Sequence, residues 1–376
     1  STLMRSSAAS DVYKRQVANS VYGATDEAYI ADIYYAASAQ IVAKAAAVLG
    51  LEETRQNYQA IADRQWQVVK EEYFTATGRC AVKTQTGLVL ALKYHLSDNE
   101  RLTEQMLRKL LRDNKNKLNT GFVGTPLLCN VLTEHGMTDL AYRLLLNEEY
   151  PGWLHEVKLG ATTVWERWNS LDENGRISST GMNSLNHYSY GAVLEWIFRH
   201  VAGIDVTEQG PGGKMMRISP KVDHKLGSAS AVYDSASGCY RCGWQIENGD
   251  QITVTVTVPF GAKAQVILPY APDSVYHDTD NPLFETVENG ICCVKAGQYT
   301  VTYKAASPLK KSYSVDSTLE DLLAEPAIRA FLSNMMEVDM IPDLAYGLTL
   351  RQAAEAFAGG VSAEQAQRLN VLLEKF

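Results

Sequence analysis

Gly210-Pro-Gly-Gly213 divides the sequence into two parts with different hydrophobic periodicity. Before this linker, from residue 25 to residue 204, apolar residues recur every three and four positions, as on one face of an α-helix. After it, Gln251-Ile-Thr-Val-Thr-Val-Thr-Val258 alternates strictly between Ile or Val and a polar residue, as in a half-buried strand. The order of the two patterns predicts a helical domain followed by a β-domain.

The helical part consists of consecutive segments of moderate length that are joined by short turns. Gly50 ends the first of them, because glycine readily takes the conformation that closes a helix. Thr125 and Pro126 are typical of an N-cap and a first helical residue, and they predict a helix that begins at Pro126. The periodicity predicts about seven or eight helices with no strand between them, which is typical of helical hairpins in a toroid or a bundle.

The second part begins as extended structure and returns to helices near residue 307. Asn248-Gly249 is a hairpin signal, and the strands around it predict an antiparallel β-sandwich that ends near Ala305. We expect this sandwich to pack against the helical domain, with sugar binding as the alternative, because the pattern shows no exposed aromatic platform. Three capping motifs predict new helices after it: Thr318-Leu-Glu-Asp321, Thr349-Leu-Arg-Gln352 and Ser362-Ala-Glu-Gln365.

Composition excludes several classes of function. The net charge is −8 and no run of Lys or Arg occurs, which argues against nucleic acid and anionic membranes as partners. Cys239 and Cys242 form a C-x-x-C motif, but the adjacent Cys292 and Cys293 are its only candidate partners in a zinc site, so free thiols are favoured. We expect no metal, no cofactor and a reduced bacterial cytoplasm. The oligomeric state stays open.

Two neighbouring segments carry the residues suited to chemistry, Gly160-Ala-Thr-Thr-Val-Trp-Glu-Arg-Trp168 and Gly181-Met-Asn-Ser-Leu-Asn-His-Tyr188. The first places the carboxylate of Glu166 between two tryptophans, and the second adds the amide of Asn183 and the imidazole of His187. Aromatic faces cover the apolar side of a sugar ring, while amides and imidazoles bind its hydroxyl groups. A carboxylate in such surroundings can activate water for glycosidic cleavage.

Each of these residues also has a structural interpretation. Glu166 is compatible with a surface residue near a helix start, Trp165 and Trp168 with one core-facing stripe, and His187 with a structural histidine. Four polar residues nevertheless fall at i, i+3, i+4 and i+7 and predict one face of a helix that opens into a wet cavity. They are Asn183, Asn186, His187 and Tyr190.

Four motifs make the chain recognisable. They are Thr120-Gly-Phe-Val-Gly-Thr-Pro126, Asp139-Leu-Ala-Tyr-Arg-Leu-Leu-Leu146, Ala161-Thr-Thr-Val-Trp-Glu-Arg-Trp168 and Gly181-Met-Asn-Ser-Leu-Asn-His-Tyr188. In residues, order and spacing, from near Val17 to near Ala305, the chain resembles the bacterial α-L-rhamnosidases of glycoside hydrolase family 78. The resemblance implies an (α/α)6 barrel followed by a β-sandwich, and hydrolysis of terminal α-L-rhamnosides with inversion. It also implies that Glu166 is the general base and that His187 contacts rhamnose.

The resemblance further implies that the barrel is incomplete here, since an (α/α)6 barrel has twelve helices. In the family, the general acid lies in an Asp- and Arg-rich segment near the start of the barrel, and no such segment occurs in this sequence. Asp26 and Glu27 begin an ordinary helix and are not assigned to that role. We expect the chain to be the C-terminal portion of a longer enzyme, aggregation-prone and inactive on its own.

Four segments are therefore expected. Residues 1–16 resemble translated sequencing-adapter read-through and are interpreted as non-native. Residues 17–204 form the C-terminal part of the catalytic barrel, residues 205–306 the β-sandwich, and residues 307–376 a small helical appendage without an assigned role.

The predicted function is an inverting glycoside hydrolase that releases terminal α-L-rhamnose from glycosides or oligosaccharides. Glu166 would activate water, His187 and Asn183 would bind hydroxyl groups, and either Trp165 or Trp168 would cover the sugar ring. The alternatives are another inverting glycosidase on the same toroid, acting on a glucoside, and a carbohydrate-binding protein without catalysis.

Overall fold

The computed structural model describes residues 22–172, 174–178, 181–278, 280–357 and 359–376. The expected non-native segment 1–16 lies outside the described residues. The chain forms two compact units, one made of the described residues up to Gln245 together with Ile252–Tyr303, and one made of Ile246–Gln251 together with Lys304–Phe376.

The helical part of the first unit contains eight α-helices within the described residues, in agreement with the predicted number. They are α1 (Glu27–Val48), α2 (Glu52–Tyr73), α3 (Gln85–Lys93), α4 (Glu100–Asp113), α5 (Gly121–Glu134), α6 (Thr138–Leu145), α7 (Trp153–Lys158) and α8 (Val193–Trp196). A 3-10 turn at Tyr190–Ala192 precedes α8, and a π-helical turn at Ile197–Val201 follows it.

Helix α3 lies at the centre of the packing among the described helices. Residues 85–92 are all buried, and α3 packs against both α4 and α5. The Thr86 hydroxyl donates to the Thr120 carbonyl at 2.5 Å. At Gly124, an added Cβ would lie 2.3 Å from the Thr86 hydroxyl oxygen, so this glycine lets α5 approach α3 closely.

The predicted start of α5 at Pro126 is wrong, because the helix begins at Gly121 and encloses the proline. Thr125 does not act as a cap. Its hydroxyl instead donates to the Gly121 carbonyl at 2.6 Å, one turn back along the same helix. A helix tolerates proline most readily in its first turn, where amide groups have no intrahelical acceptor, and Pro126 stands just beyond that turn.

The β-part of the first unit is the predicted sandwich. Its strands are β1 (Ile204–Val206), β2 (Met215–Ile218), β3 (Ser228–Ser235), β4 (Gly238–Glu247), β5 (Gln251–Val258), β6 (Lys263–Val266), β7 (Val287–Glu288), β8 (Ile291–Val294) and β9 (Gly297–Lys304). One sheet has the order β1-β2-β6-β8-β7 and the other β3-β4-β5-β9. The pairing of β2 with β6 is parallel, a departure from the antiparallel arrangement that periodicity could not reveal.

The side chains of Tyr142 and Trp244 are among those that connect the helical part to the sandwich within this unit. The Tyr142 hydroxyl on α6 donates to the Lys221 carbonyl, and the Trp244 indole on β4 donates to the Val201 carbonyl at 2.7 Å. These bonds agree with the predicted packing role of the sandwich. Among the described residues, no helix is long and apolar enough to cross a membrane.

The second unit is a hairpin turn and a small helical cluster. Asn248 and Gly249 both have positive φ, 52° and 81°, as the predicted Asn-Gly turn requires. The helices are α9 (Leu319–Ala324), α10 (Pro326–Ser333), α11 (Leu350–Phe357) and α12 (Ala363–Leu373). The three predicted caps are confirmed, since Thr318, Thr349 and Ser362 each accept from the amide three residues later.

Candidate active site

Glu166 is fixed by two hydrogen bonds to the main chain of one residue. Its amide donates to the Ser184 carbonyl at 2.9 Å, and the Ser184 amide donates to Glu166 Oε2 at 3.0 Å. The side chain is only 9% exposed. The amide bond gives the carboxylate a defined direction and a charge-assisted hydrogen bond, while keeping it an acceptor for further donors.

The two segments that carry the site are paired with each other through the backbone. The His187 amide donates to the Val164 carbonyl at 2.8 Å, and the Thr163 hydroxyl donates to the Leu185 carbonyl. Residues 163–166 and 184–187 thus lie side by side. The predicted helix over the polar residues from Asn183 onward is wrong. Backbone groups of Ser184, Leu185 and His187 bond the neighbouring segment instead, and the helical backbone starts only near Tyr190.

The His187 ring is half-buried and stacks with two aromatic residues. Phe122 on α5 lies 5.5 Å away between ring centroids, and Tyr188 lies 5.1 Å away. The Ser189 amide donates to His187 Nδ1 at 3.3 Å. In the neutral ring this bond places the proton on Nε2, which makes Nε2–H a hydrogen-bond donor.

Asn183 is tied to the same region. Its Nδ2 donates to the Ser178 carbonyl at 2.7 Å, while its Oδ1 is buried and has no hydrogen-bond partner among the described residues. A buried acceptor without a donor carries a desolvation cost. A hydroxyl group that donated to this oxygen would remove that cost.

Both tryptophans of the first motif are packed inside the protein, each 2% exposed. Trp168 stacks on Tyr190 with ring centroids 4.0 Å apart and planes 4° apart, and it meets Trp153 edge to face at 5.4 Å. This packing supplies rigid support beneath the Glu166 segment. The sugar-covering role of Trp165 or Trp168 stays a prediction.

A second buried carboxyl group, not predicted from the sequence, lies beside this segment. Glu156 on α7 is 3% exposed, and its Oε2 accepts from the Trp165 amide at 3.3 Å. Desolvation by burial raises the pKa of Glu156 to about 8, against a smaller lowering by the hydrogen bond from Trp165. The sequence around Glu156 does not indicate a buried carboxyl group, because a glutamate in a short helical pattern is ordinarily a surface residue.

Comparison with known proteins follows the same division of the chain. The bacterial α-L-rhamnosidase six-hairpin glycosidase domain matches residues 4–201, and the bacterial α-L-rhamnosidase C-terminal domain matches residues 203–281. This chain belongs to the bacterial α-L-rhamnosidase family. The first match begins within the segment interpreted as non-native, and that interpretation, like the predicted domain boundaries, stays a prediction.

Individual rhamnosidases show the same relationship. An α-L-rhamnosidase of Formosa agariphila is 36% identical over 71% of this chain, and one of an Alteromonas strain is 36% identical over 74%. The chain spans 29% and 30% of the lengths of these two relatives.

Solved rhamnosidase structures have a similar fold. The Streptomyces avermitilis α-L-rhamnosidase, crystallised with L-rhamnose, superposes with a TM-score of 0.66 at 32% identity, covering 73% of this chain and 27% of that enzyme. The Aspergillus terreus α-L-rhamnosidase superposes with a TM-score of 0.66 at 28% identity, covering 76% of this chain and 31% of that enzyme.

Proposed function

We propose that this chain carries the general base and part of the sugar-binding surface of an inverting α-L-rhamnosidase of glycoside hydrolase family 78. The observation that supports this most is the fixed position of Glu166. Its carboxylate is nearly buried, and Oε2 accepts a hydrogen bond from the Ser184 amide at 3.0 Å. Family membership and the rhamnose-bound relative from Streptomyces avermitilis support an α-L-rhamnoside as the substrate class. The released sugar would be a terminal α-L-rhamnose.

The proposed chemistry uses Glu166 as the group that takes a proton from water. As that water attacks the anomeric carbon, the leaving oxygen departs from the opposite face of the sugar, with a second carboxyl group as its proton donor. Inversion places the two carboxyl groups roughly 6.5–9.5 Å apart. We expect the proton donor to lie outside the described residues of this chain.

Sugar hydroxyl groups would be bound by His187 and Asn183. His187 would donate from Nε2, because Nδ1 already accepts the Ser189 amide. Asn183 would accept at Oδ1, the buried oxygen that lacks a donor among the described residues. Sugar hydroxyl groups suit both residues, because a hydroxyl group can accept from His187 Nε2 or donate to Asn183 Oδ1.

We also propose a bacterial cytoplasmic location. All six cysteines are free thiols in the structure, and disulfides are rare in a reducing compartment. The proposed partner is a carbohydrate, as family membership supports. The charge of −8 disfavours nucleic acid and anionic membranes.

The test is hydrolysis of 4-nitrophenyl α-L-rhamnoside by a chimaera in which residues 22–303 replace the aligned segment of the Streptomyces avermitilis enzyme. We expect turnover, and proton NMR should show the inverted anomer of rhamnose as the first product. Retention of configuration, or a folded chimaera that prefers a glucoside, would contradict the proposal. Binding of L-rhamnose without turnover would favour a carbohydrate-binding protein.

A further inference from the structure

We propose that Glu156 is a positioning residue for Glu166, acting through the hydrogen bond that its carboxyl group accepts from the Trp165 amide. This inference rests on the proposed role of Glu166 as base. The bond measures 3.3 Å and joins α7 to the residue immediately before Glu166. Residues 163–166 are therefore bonded on both sides, to Ser184 and His187 on one and to Glu156 on the other.

Helix α7, which carries Glu156, is itself held in place by several contacts. Helix α7 begins at Trp153, whose indole donates to the Tyr190 carbonyl at 2.9 Å and whose ring packs edge to face on Trp168. The chain leaving α7 returns to it, since the Ala161 amide donates to the Glu156 carbonyl at 3.0 Å. A carboxyl group on such a support can define the position of the bonded amide closely.

The protonation state of Glu156 matters for this role. Its Oε1 is buried and has no hydrogen-bond partner among the described residues, which favours the neutral carboxylic acid, and burial raises its pKa to about 8. Glu156 interacts electrostatically with the buried phenol of Tyr190. The other charged or titratable groups that act on that phenol are Arg167 and Tyr150. Ionisation of Glu156 would place a negative charge in a desolvated site beside the Glu166 segment, which burial opposes.

The first experiment reads this bond directly in the 376-residue chain. The protein has six tryptophans, so backbone 15N-labelled tryptophan gives six amide signals, and Trp165→Phe identifies the one of interest. We expect the Trp165 signal to titrate with a midpoint near pH 8 and to stop doing so in Glu156→Gln, which keeps an acceptor but cannot ionise. A titration that persists in Glu156→Gln would overturn the proposal.

Amide hydrogen exchange, measured on the same sample, tests whether Glu156 protects the Trp165 amide. Glu156→Leu removes the acceptor, so the Trp165 amide should exchange about tenfold faster, on the scale of one lost hydrogen bond. Glu156→Gln should restore the slow exchange. The control is Glu104→Leu, which removes a carboxylate that bonds His135 elsewhere in the helical part and should leave Trp165 unchanged. Unchanged exchange in Glu156→Leu would overturn the inference.

Turnover connects the bond to catalysis. In the active chimaera, Glu156→Leu should lower kcat by about ten- to a hundredfold, the effect of a misplaced catalytic group, while Glu156→Gln should keep kcat near wild type. If Glu156→Gln loses as much as Glu156→Leu, Glu156 donates a proton and is not a positioning residue. If the unmutated chimaera is inactive, the proposed function fails, and the NMR signals still decide whether Glu156 holds Trp165.

Discussion

Glu166 owes its position to main-chain groups. Ser184 contributes only its amide and carbonyl to the two bonds that hold Glu166, so the identity of its side chain matters little to them. The carboxylate is thus placed by the path of the backbone. This arrangement makes substitutions of the carboxylate itself unusually informative, because they should leave the surrounding structure in place.

In the active chimaera, Glu166→Gln is expected to lower kcat by about a hundred- to ten-thousandfold, the usual contribution of a general base. The amide keeps the shape and an acceptor for the Ser184 amide, so L-rhamnose binding should change little. Turnover of an aryl α-L-rhamnoside and titration with L-rhamnose measure the two effects. Glu148→Gln, at an exposed glutamate paired with Lys158, is the control. Near-normal turnover in Glu166→Gln would remove Glu166 from the mechanism.

Glu156 should make the stability of the protein depend on pH. Its folded-state pKa of about 8 lies above the ordinary 4.5, so the folded protein keeps a proton that the unfolded chain has released. Between these values, stability falls as pH rises, by about 1.4 kcal/mol for each pH unit inside the window.

Glu156→Gln should remove this dependence. Its Tm relative to wild type should rise by roughly ten degrees between pH 5 and pH 8, given about 2–4 °C per kcal/mol for a domain of this size. Thermal melts at both pH values provide the measurement, with Glu148→Gln as the exposed control. A constant Tm difference between wild type and Glu156→Gln would show that Glu156 titrates normally.

The sequence allowed part of this residue-scale picture to be predicted. Glu166, Asn183 and His187 could be selected because their side-chain chemistry and motif stand out, and their proposed roles stay predictions. Glu156 and Phe122 could not be selected, since burial decides their importance and burial depends on which segments fold against them. Tyr190 was assigned to a polar face, whereas it stacks on Trp168.

At the scale of elements, hydrophobic periodicity predicted well wherever a segment forms its own hydrogen bonds or a regular ladder. The end of α1 near Gly50 and the alternation of β5, whose residues 252, 254, 256 and 258 are buried, are both confirmed. The pattern failed over residues 183–190. There the spacing was helical, but the backbone of the segment pairs with residues 163–166, a partner about twenty residues away that local spacing does not encode.

The approach of α5 to α3 gives a prediction at this scale. Gly124→Ala should destabilise the protein by about 1–3 kcal/mol, because the new methyl group overpacks the contact with Thr86 and Thr120. Gly191→Ala is the matched control, since its added Cβ would meet only Val164, at an ordinary 3.6 Å. Urea unfolding of both variants measures the difference. Equal stability of the two variants would mean that α5 can shift freely against α3.

At the scale of the whole molecule, the chain has two units with separate cores. Leu322 is fully buried in the core of the second unit, together with Val315 and Ile328, and Leu107 is fully buried on α4 in the first. Because each unit has its own buried core, we expect two calorimetric transitions.

Leu322→Ala should shift only the transition of the second unit, and Leu107→Ala only that of the first, each by about 2–5 kcal/mol. L-rhamnose should raise the Tm of the first transition alone, because the proposed site lies entirely in that unit. Differential scanning calorimetry of the two variants checks both expectations. A single transition that both substitutions lower together would show that the units unfold as one.

The pairing of residues 163–166 with 184–187 has a consequence for the order of folding. The bonds that orient Glu166 and close the pair span only 18 and 22 residues of chain, and the entropy lost on closing a loop grows slowly with its length. Contacts of such short range form faster than contacts between distant parts of a chain. During synthesis, the contacts that orient the carboxylate can therefore form once residue 190 has emerged, before the first strand of the sandwich, which begins at Ile204, has been made.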